Sequence, residues 1–362
     1  MNNSIDNVII YVGTYTNGKS EGIYTVKMDK DGRLEVAGLA AKLRNPTYMA
    51  LSQDGKYLYS ILENENTDGK TGGAAAAFEL DGKSGTLGLL NIAPTIGKGP
   101  CYLTVDKNNR RLYTANYAEG SVTAFSLERD GSIGRLLSHI RHQGSGPDRK
   151  RQEGPHAHCV VLTPEETALC AVDLGLDQII MYKLSAAPDG AISDEHRRIT
   201  RIRPRSGPRH LAFHPNGKFA YLINELSSDI TVLHYSPEAE EFVQKQYISA
   251  LPESYKGENT CAAVKISSDG RFLYASNRGH DSIAIYKIDA ETGILTACGR
   301  QPAAVSFPRD FEICPGGGLL VAAGQYSGTL ASFYIDKETG SLEPTGYTAP
   351  VDEAVCVKFG TI

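Results

Sequence analysis

Six short turns of one chemical type, spaced almost evenly along the chain, limit its fold more than any other feature. They read QDGK from Gln53, KNNR from Lys107, PEET from Pro164, PNGK from Pro215, SDGR from Ser268 and PGGG from Pro315, at spacings of 54, 57, 51, 53 and 47 residues. A short apolar strand precedes each turn. After it come a second strand, such as KYLYSIL, RRLYTAN, KFAYLIN or RFLYASN, and a third, such as SVTAFSL, QIIMYKL, DITVLHY or SIAIYKI. Alternation and β-branched or aromatic content predict strands at these places. A weaker fourth strand follows a DG or TG turn, as in DGRLEVAGLA and TGSLEPTGY. Four strands at this period make one blade of a β-propeller.

The two ends complete each other. The chain opens on VIIYVGTYTNG, which matches a second strand, and closes on DEAVCVKFG, which matches a first strand that stops where its turn should begin. The expectation is an all-β, seven-bladed β-propeller, closed by pairing of the C-terminal strand into the N-terminal blade so that the ring has no free edge. Length alone suggests two or three domains, but the repeat makes residues 1–362 one domain.

Composition narrows the partners. A net charge of −5 gives no overall basic field for nucleic acid or an anionic membrane surface, so a small-molecule ligand is the better expectation. No apolar run approaches the roughly 18 residues of a membrane span, and MNNSIDNVIIYVGTY lacks the pattern of a secretory leader. Seven cysteines, odd in number and without a CxxC pair, fit reduced thiols and a cytoplasmic location.

Comparing the repeats with one another separates structure from chemistry, because the blades share a fold but only one centre. The start of an innermost strand and the finish of its antiparallel neighbour lie at the same end of the channel. Counting six residues back from each turn gives a first ring: Thr47, Cys101, His158, Arg209, Ala262, Arg309, and Glu353 from the terminal strand. Counting forward past the tyrosine gives a second: Tyr15, Glu63, Tyr117, Leu174, Glu225, Arg278 and Gln325. These positions are the most varied and most charged of the repeat. The position just before the second ring is mostly Asn or Asp, as in Asn116, Asp173, Asn224 and Asn277, residues that bond nearby backbone in turns.

His158, Arg209, Glu225 and Arg278 come from three consecutive blades and converge on one mouth, a set suited to an anionic or carbonyl-bearing ligand. The competing reading is a structural ion pair between Arg209 and Glu225. Arg309 and Glu353 are substrate-binding candidates that could equally pair with each other, and Glu63 ranks lower, across the ring. His156 and His158, two apart on one strand, face the same way in a spacing compatible with metal, but no third ligand is evident and no metal is expected. His158 is in the ring; His156 lies one step outside it as a substrate-binding candidate. In the loop HQGSGPDRKRQEG, from His142 to Gly154, Arg149, Lys150 and Arg151 could attract a phosphate, although a solvated loop is the plainer expectation. No G-x-S-x-G elbow, H-E-x-x-H or phosphate-cradling glycine motif occurs.

Four stretches, YVGTYTNG, GPRHLAFHPNGKFAYLINELSS, ASNRGHDSIAIY and FPRDFEICPGGGLLVAAGQYSG, resemble the seven-bladed propeller lactonase family, which includes 6-phosphogluconolactonases of propeller type and carboxy-cis,cis-muconate lactonising enzymes. The similarity runs nearly end to end. It implies hydrolysis of a sugar lactone, 6-phospho-D-glucono-1,5-lactone first among them, in the pentose phosphate route and without a cofactor. It also implies a site at His158, Arg209, Glu225 and Arg278, with Arg309 as a further member and Glu225 or His158 as the base. Lactonisation of a carboxymuconate-type acid, a calcium-dependent sugar lactonase and a non-enzymatic binding platform are the alternatives.

Overall fold

The computed structural model describes residues 8–67, 70–81, 84–185 and 191–360; the ends of the expected 1–362 domain, residues 1–7 and 361–362, lie outside the described residues. Seven antiparallel sheets of four strands each stand around a central channel, and no helix occurs among the described residues. In the first blade the order is Ala354–Phe359, Val8–Thr14, Gly22–Met28 and Leu34–Lys42, so the C-terminal strand pairs with the N-terminal one and closes the ring.

Burial follows the radial position of each strand. Every residue of the second strand Phe219–Asn224 is buried, because neighbouring blades cover both faces of its sheet. The outer strand of that blade, Glu241–Ser249, instead alternates between covered and exposed residues. The recurring tyrosine has a specific task. Tyr11, Tyr59, Tyr221 and Tyr274 are buried, and each hydroxyl donates to a glycine carbonyl in the next blade: Gly85 at 3.2 Å, Gly131 at 3.0 Å, Gly293 at 3.0 Å and Gly340 at 2.9 Å. These glycines sit in the DG- and TG-type turns at φ +71 to +84°. A Cβ at Gly131, Gly293 or Gly340 would stand within 2.5 Å of an aromatic ring, so the tether needs glycine there. Each such hydrogen bond is worth about 1 kcal/mol net.

The Asn and Asp residues at the strand ends are also structural. Asn224 Nδ2 donates to Asp229 at 2.7 Å and Thr231 at 2.9 Å, Asn116 makes the matching bonds to Ser121 and Thr123, and Asp173 accepts from the backbone of His156 and Leu176. Two packed layers lie in the channel below its mouth. Tyr48 and Tyr102 stack at 4.0 Å with His210 edge-on to both, and beneath them Glu312 pairs with Lys265 and Lys358.

Candidate active site

The first ring is aimed at the channel by a repeated β-bulge. In five blades the inner strand carries one residue opposite no partner: Cys101, His158, Arg209, Arg309 and Val355. A bulge re-aims its extra side chain, here into the channel. Glu353 therefore does not hold the ring position assigned to it above; Val355 does. The six-residue count depended on a turn that the last strand lacks. Glu353 instead accepts the backbone N–H groups of Asn17 at 2.8 Å and Gly18 at 2.6 Å, outside the mouth.

The mouth opens a cavity of about 420 Å³. Cys101, His158 and Arg309 of the first ring line it, with Tyr15, Glu63, Tyr117, Glu225, Arg278 and Gln325 of the second. Leu174 is packed away, and Arg209 stands behind Glu225 in the floor. His156 turns aside, because the bulge at His158 breaks the alternation that would have put both imidazoles on one face. It stacks on Tyr117, with Nδ1 3.0 Å from the Tyr117 carbonyl and Nε2 3.3 Å from Glu153. Among the described residues no three His, Cys, Asp or Glu side chains converge as metal ligands.

Glu225 organises the charges. Arg278 Nη2 reaches its Oε2 at 2.7 Å, and Arg151 Nη2 reaches Oε1 at 2.5 Å. Arg209 Nε lies 3.1 Å from Oε2 without hydrogen-bond alignment, while its Nη1 donates to the Ala262 carbonyl at 2.7 Å and approaches His210 Nε2 at 3.1 Å. Burial alone would raise the Glu225 pKa, but Arg278, Arg209 and Arg151 outweigh it and hold the carboxyl well below the usual carboxylate range. His158 is pushed far below the usual histidine value, by burial first and then by Arg209, so its imidazole is neutral at neutral pH. Burial also brings Arg209 down to about 9, with Arg278 and Arg309 adding to the effect; it stays cationic at neutral pH. Burial and Glu63 hold the Cys101 thiol protonated, so it is no thiolate nucleophile.

Arg309 differs from the other guanidiniums. It lies over the Tyr15 ring at 5.4 Å, and no carboxylate among the described residues is within ion-pair distance of it. Four arginines and two glutamates, Glu63 and Glu225, leave an excess of two positive charges at the mouth. Such a pocket suits a polyanionic ligand with a carbonyl or ester beside a neutral imidazole.

Sequence reasoning did not single out Arg151, Phe307 and Tyr326, all three of which line the cavity. The tribasic run showed that a cation could come from that loop, but not which one folds inward. Asp148 accepts the backbone N–H groups of Lys150 and Arg151, and buried Gln152 donates to the Leu174 carbonyl at 2.9 Å. That anchoring turns Arg151 toward Glu225.

Comparison with known proteins matches the fold. A family model described as lactonase, 7-bladed beta-propeller, matches residues 9–359. A 6-phosphogluconolactonase from Bacillus subtilis is 42% identical over 350 residues, covering 96% of this chain and 97% of that protein. One from Formosa agariphila is 33% identical, covering 92% and 94%. The solved structure of a periplasmic gluconolactonase from Pseudomonas aeruginosa superposes with a TM-score of 0.91 at 31% identity, covering 98% and 99%.

Proposed function

Because this chain belongs to the lactonase family of seven-bladed β-propellers, we propose that it hydrolyses a sugar lactone, 6-phospho-D-glucono-1,5-lactone, to 6-phosphogluconate. The observation that carries the reading is the combination in one cavity of surplus guanidinium charge and a neutral, buried imidazole. The substrate is a lactone joined to a phosphate of charge about −1.5 to −2 at neutral pH, which the excess of two positive charges matches.

The roles follow from the electrostatics. Both Glu225 oxygens are engaged by arginines, which leaves neither free to take a proton from water. Glu225 fixes Arg278, whose guanidinium lines the cavity and stabilises the oxyanion that forms as water attacks the lactone carbonyl, while Arg209 adds its charge from behind Glu225. His158 takes the proton from that water. The tetrahedral intermediate then collapses, the bond from the carbonyl carbon to the ring oxygen breaks, and the imidazolium returns its proton to the leaving ring oxygen. Arg309, which has no carboxylate partner among the described residues, binds the phosphate. An anion there also cancels part of the field that depresses the His158 pKa, so substrate binding makes the base stronger. A cytoplasmic location belongs to the same proposal, since all seven cysteines are free.

The test is the turnover of H158N on the phosphorylated lactone, corrected for spontaneous hydrolysis. General acid–base catalysis contributes on the order of 10²–10⁴-fold, and a loss of that size is expected. Near-wild-type turnover would remove His158 as the base. Comparing phosphorylated with free gluconolactone separates this reading from a lactonising enzyme for a dicarboxylic acid, whose substrate carries no phosphate.

A further inference from the structure

One residue before the inner strand, the chain takes the same left-handed conformation before a proline in three blades, at Gly99 (φ +61°), Gly207 (φ +58°) and Phe307 (φ +59°); Glu353 (φ +51°) takes it in a fourth, before an alanine. Glycine adopts this conformation freely, whereas a bulky side chain there is a genuine outlier. The holding contacts repeat as well: Gly207 N donates to Asp177 at 2.8 Å, and Phe307 N donates to Asp281 at 2.9 Å. Across the hairpin the partner changes in step. Gly99 faces Ala118, Gly207 faces Leu226, and Phe307 faces Tyr326. Only in the last blade of this set are both members aromatic, and there the strain of a phenylalanine at positive φ is tolerated.

Glu353 shows that the conformation itself belongs to the blade; what sets Phe307 apart is a bulky ring in that conformation. The rings of Phe307 and Tyr326 are stacked at 4.2 Å and 22°, Arg278 covers Phe307 at 5.3 Å, and both aromatics line the cavity. Tyr326 is nonetheless 68% exposed, the most exposed large hydrophobic residue described. A tyrosine packed to serve the fold would be covered. This one presents a flat apolar face beside a charged pocket.

We infer that the Phe307–Tyr326 stack is the platform for the ring of the substrate, holding the C–H face of a pyranose lactone while the arginines take its anionic group. The inference rests on the lactonase reading of the same cavity and adds to it the specificity for a closed sugar ring. Cyclic substrate and open-chain product share the phosphate, and the product adds a carboxylate, so the product keeps the arginine contacts. Only the cyclic form has a rigid face to stack.

The experiment measures KM and kcat for the phosphorylated lactone, the inhibition constant of 6-phosphogluconate and the melting temperature, in wild type, F307G and Y326A. Gly is the residue at the equivalent positions of two other blades, so F307G keeps the fold and relieves the strain. Both variants are expected to raise KM about two- to twelve-fold with kcat within about twofold, the scale of one lost ring contact. The product inhibition constant is expected to stay put, and the melting temperature of F307G not to fall. An unchanged KM in both variants overturns the inference, as does a parallel rise in KM and the product constant. Absence of any lactone turnover by wild type overturns the lactonase reading and this inference together.

Discussion

The channel holds two carboxylates flanked by cations, Glu225 at the mouth and Glu312 about three residues, or roughly 10 Å, further along the inner strands. Glu225 is buried and Glu312 partly buried, and opposite charges draw the pKa of both down against the effect of burial. Their surroundings differ. Glu312 pairs through a single oxygen with Lys265 at 2.7 Å and Lys358 at 3.3 Å, and Lys358 sits over the Tyr48 ring at 4.9 Å. That cluster consists of compact ammonium charges under an aromatic plug. Glu225 instead holds three planar guanidiniums in place beside a neutral histidine, a fourth guanidinium with no carboxylate partner among the described residues, and open space. A buried ion pair is weak evidence for function; unbalanced, oriented charge facing a cavity is stronger.

The sharpest way to break the comparison is to neutralise each carboxylate. E225Q leaves three guanidiniums facing one another with no counter-charge, and breaking a buried pair costs about 3–5 kcal/mol. Chemical denaturation is expected to show that loss, together with a large fall in lactone turnover. E312Q is expected to lower stability less, because its lysines are partly exposed, and to leave turnover within about twofold. Equal effects of the two changes on turnover would erase the distinction.

A smaller effect separates the cations. R309M is expected to raise KM for the phosphorylated lactone about 10–100-fold while changing KM for free gluconolactone little, the scale of a lost charge-assisted hydrogen bond. K358M is expected to change neither. Smallest is the pH dependence of stability. His158 and His210 have native pKa values depressed by burial and by Arg209. Below about pH 6.5 the unfolded chain binds protons that the native protein refuses. Their contribution is therefore fully present above that pH and is lost as pH falls, by up to about 1.4 kcal/mol per pH unit for each histidine. H158N is expected to remove its share of the slope between pH 6.5 and 5 in denaturant titrations.

These residues also show how far sequence could reach. The blade repeat was legible because the turns, the tethering tyrosine and the strand-end Asn recur for structural reasons, and the charged exceptions then stood out. Arg209, Glu225 and Arg278 came together because the bulge lies at a fixed distance from the turn. Where the turn is missing, the same count misplaced Glu353 by two residues. His156 was misjudged because alternation along a strand fails at a bulge. Arg151 reaches the site from a loop whose course depends on Asp148 and Gln152, contacts that follow no period. Phe307 and Tyr326 lie just outside the counted rings, and their stacking is a contact between two strand ends that follows no period.

The central claim is that a neutral His158, set among arginines fixed by Glu225, activates water against a phosphorylated sugar lactone. Steady-state hydrolysis of 6-phospho-D-glucono-1,5-lactone by wild type, H158N and E312Q, measured side by side above the spontaneous rate, tests it most directly. The expected result is robust turnover by wild type and E312Q, with H158N lower by about 10²–10⁴-fold. Wild-type turnover no faster than the spontaneous rate, or H158N as active as E312Q, would contradict the account.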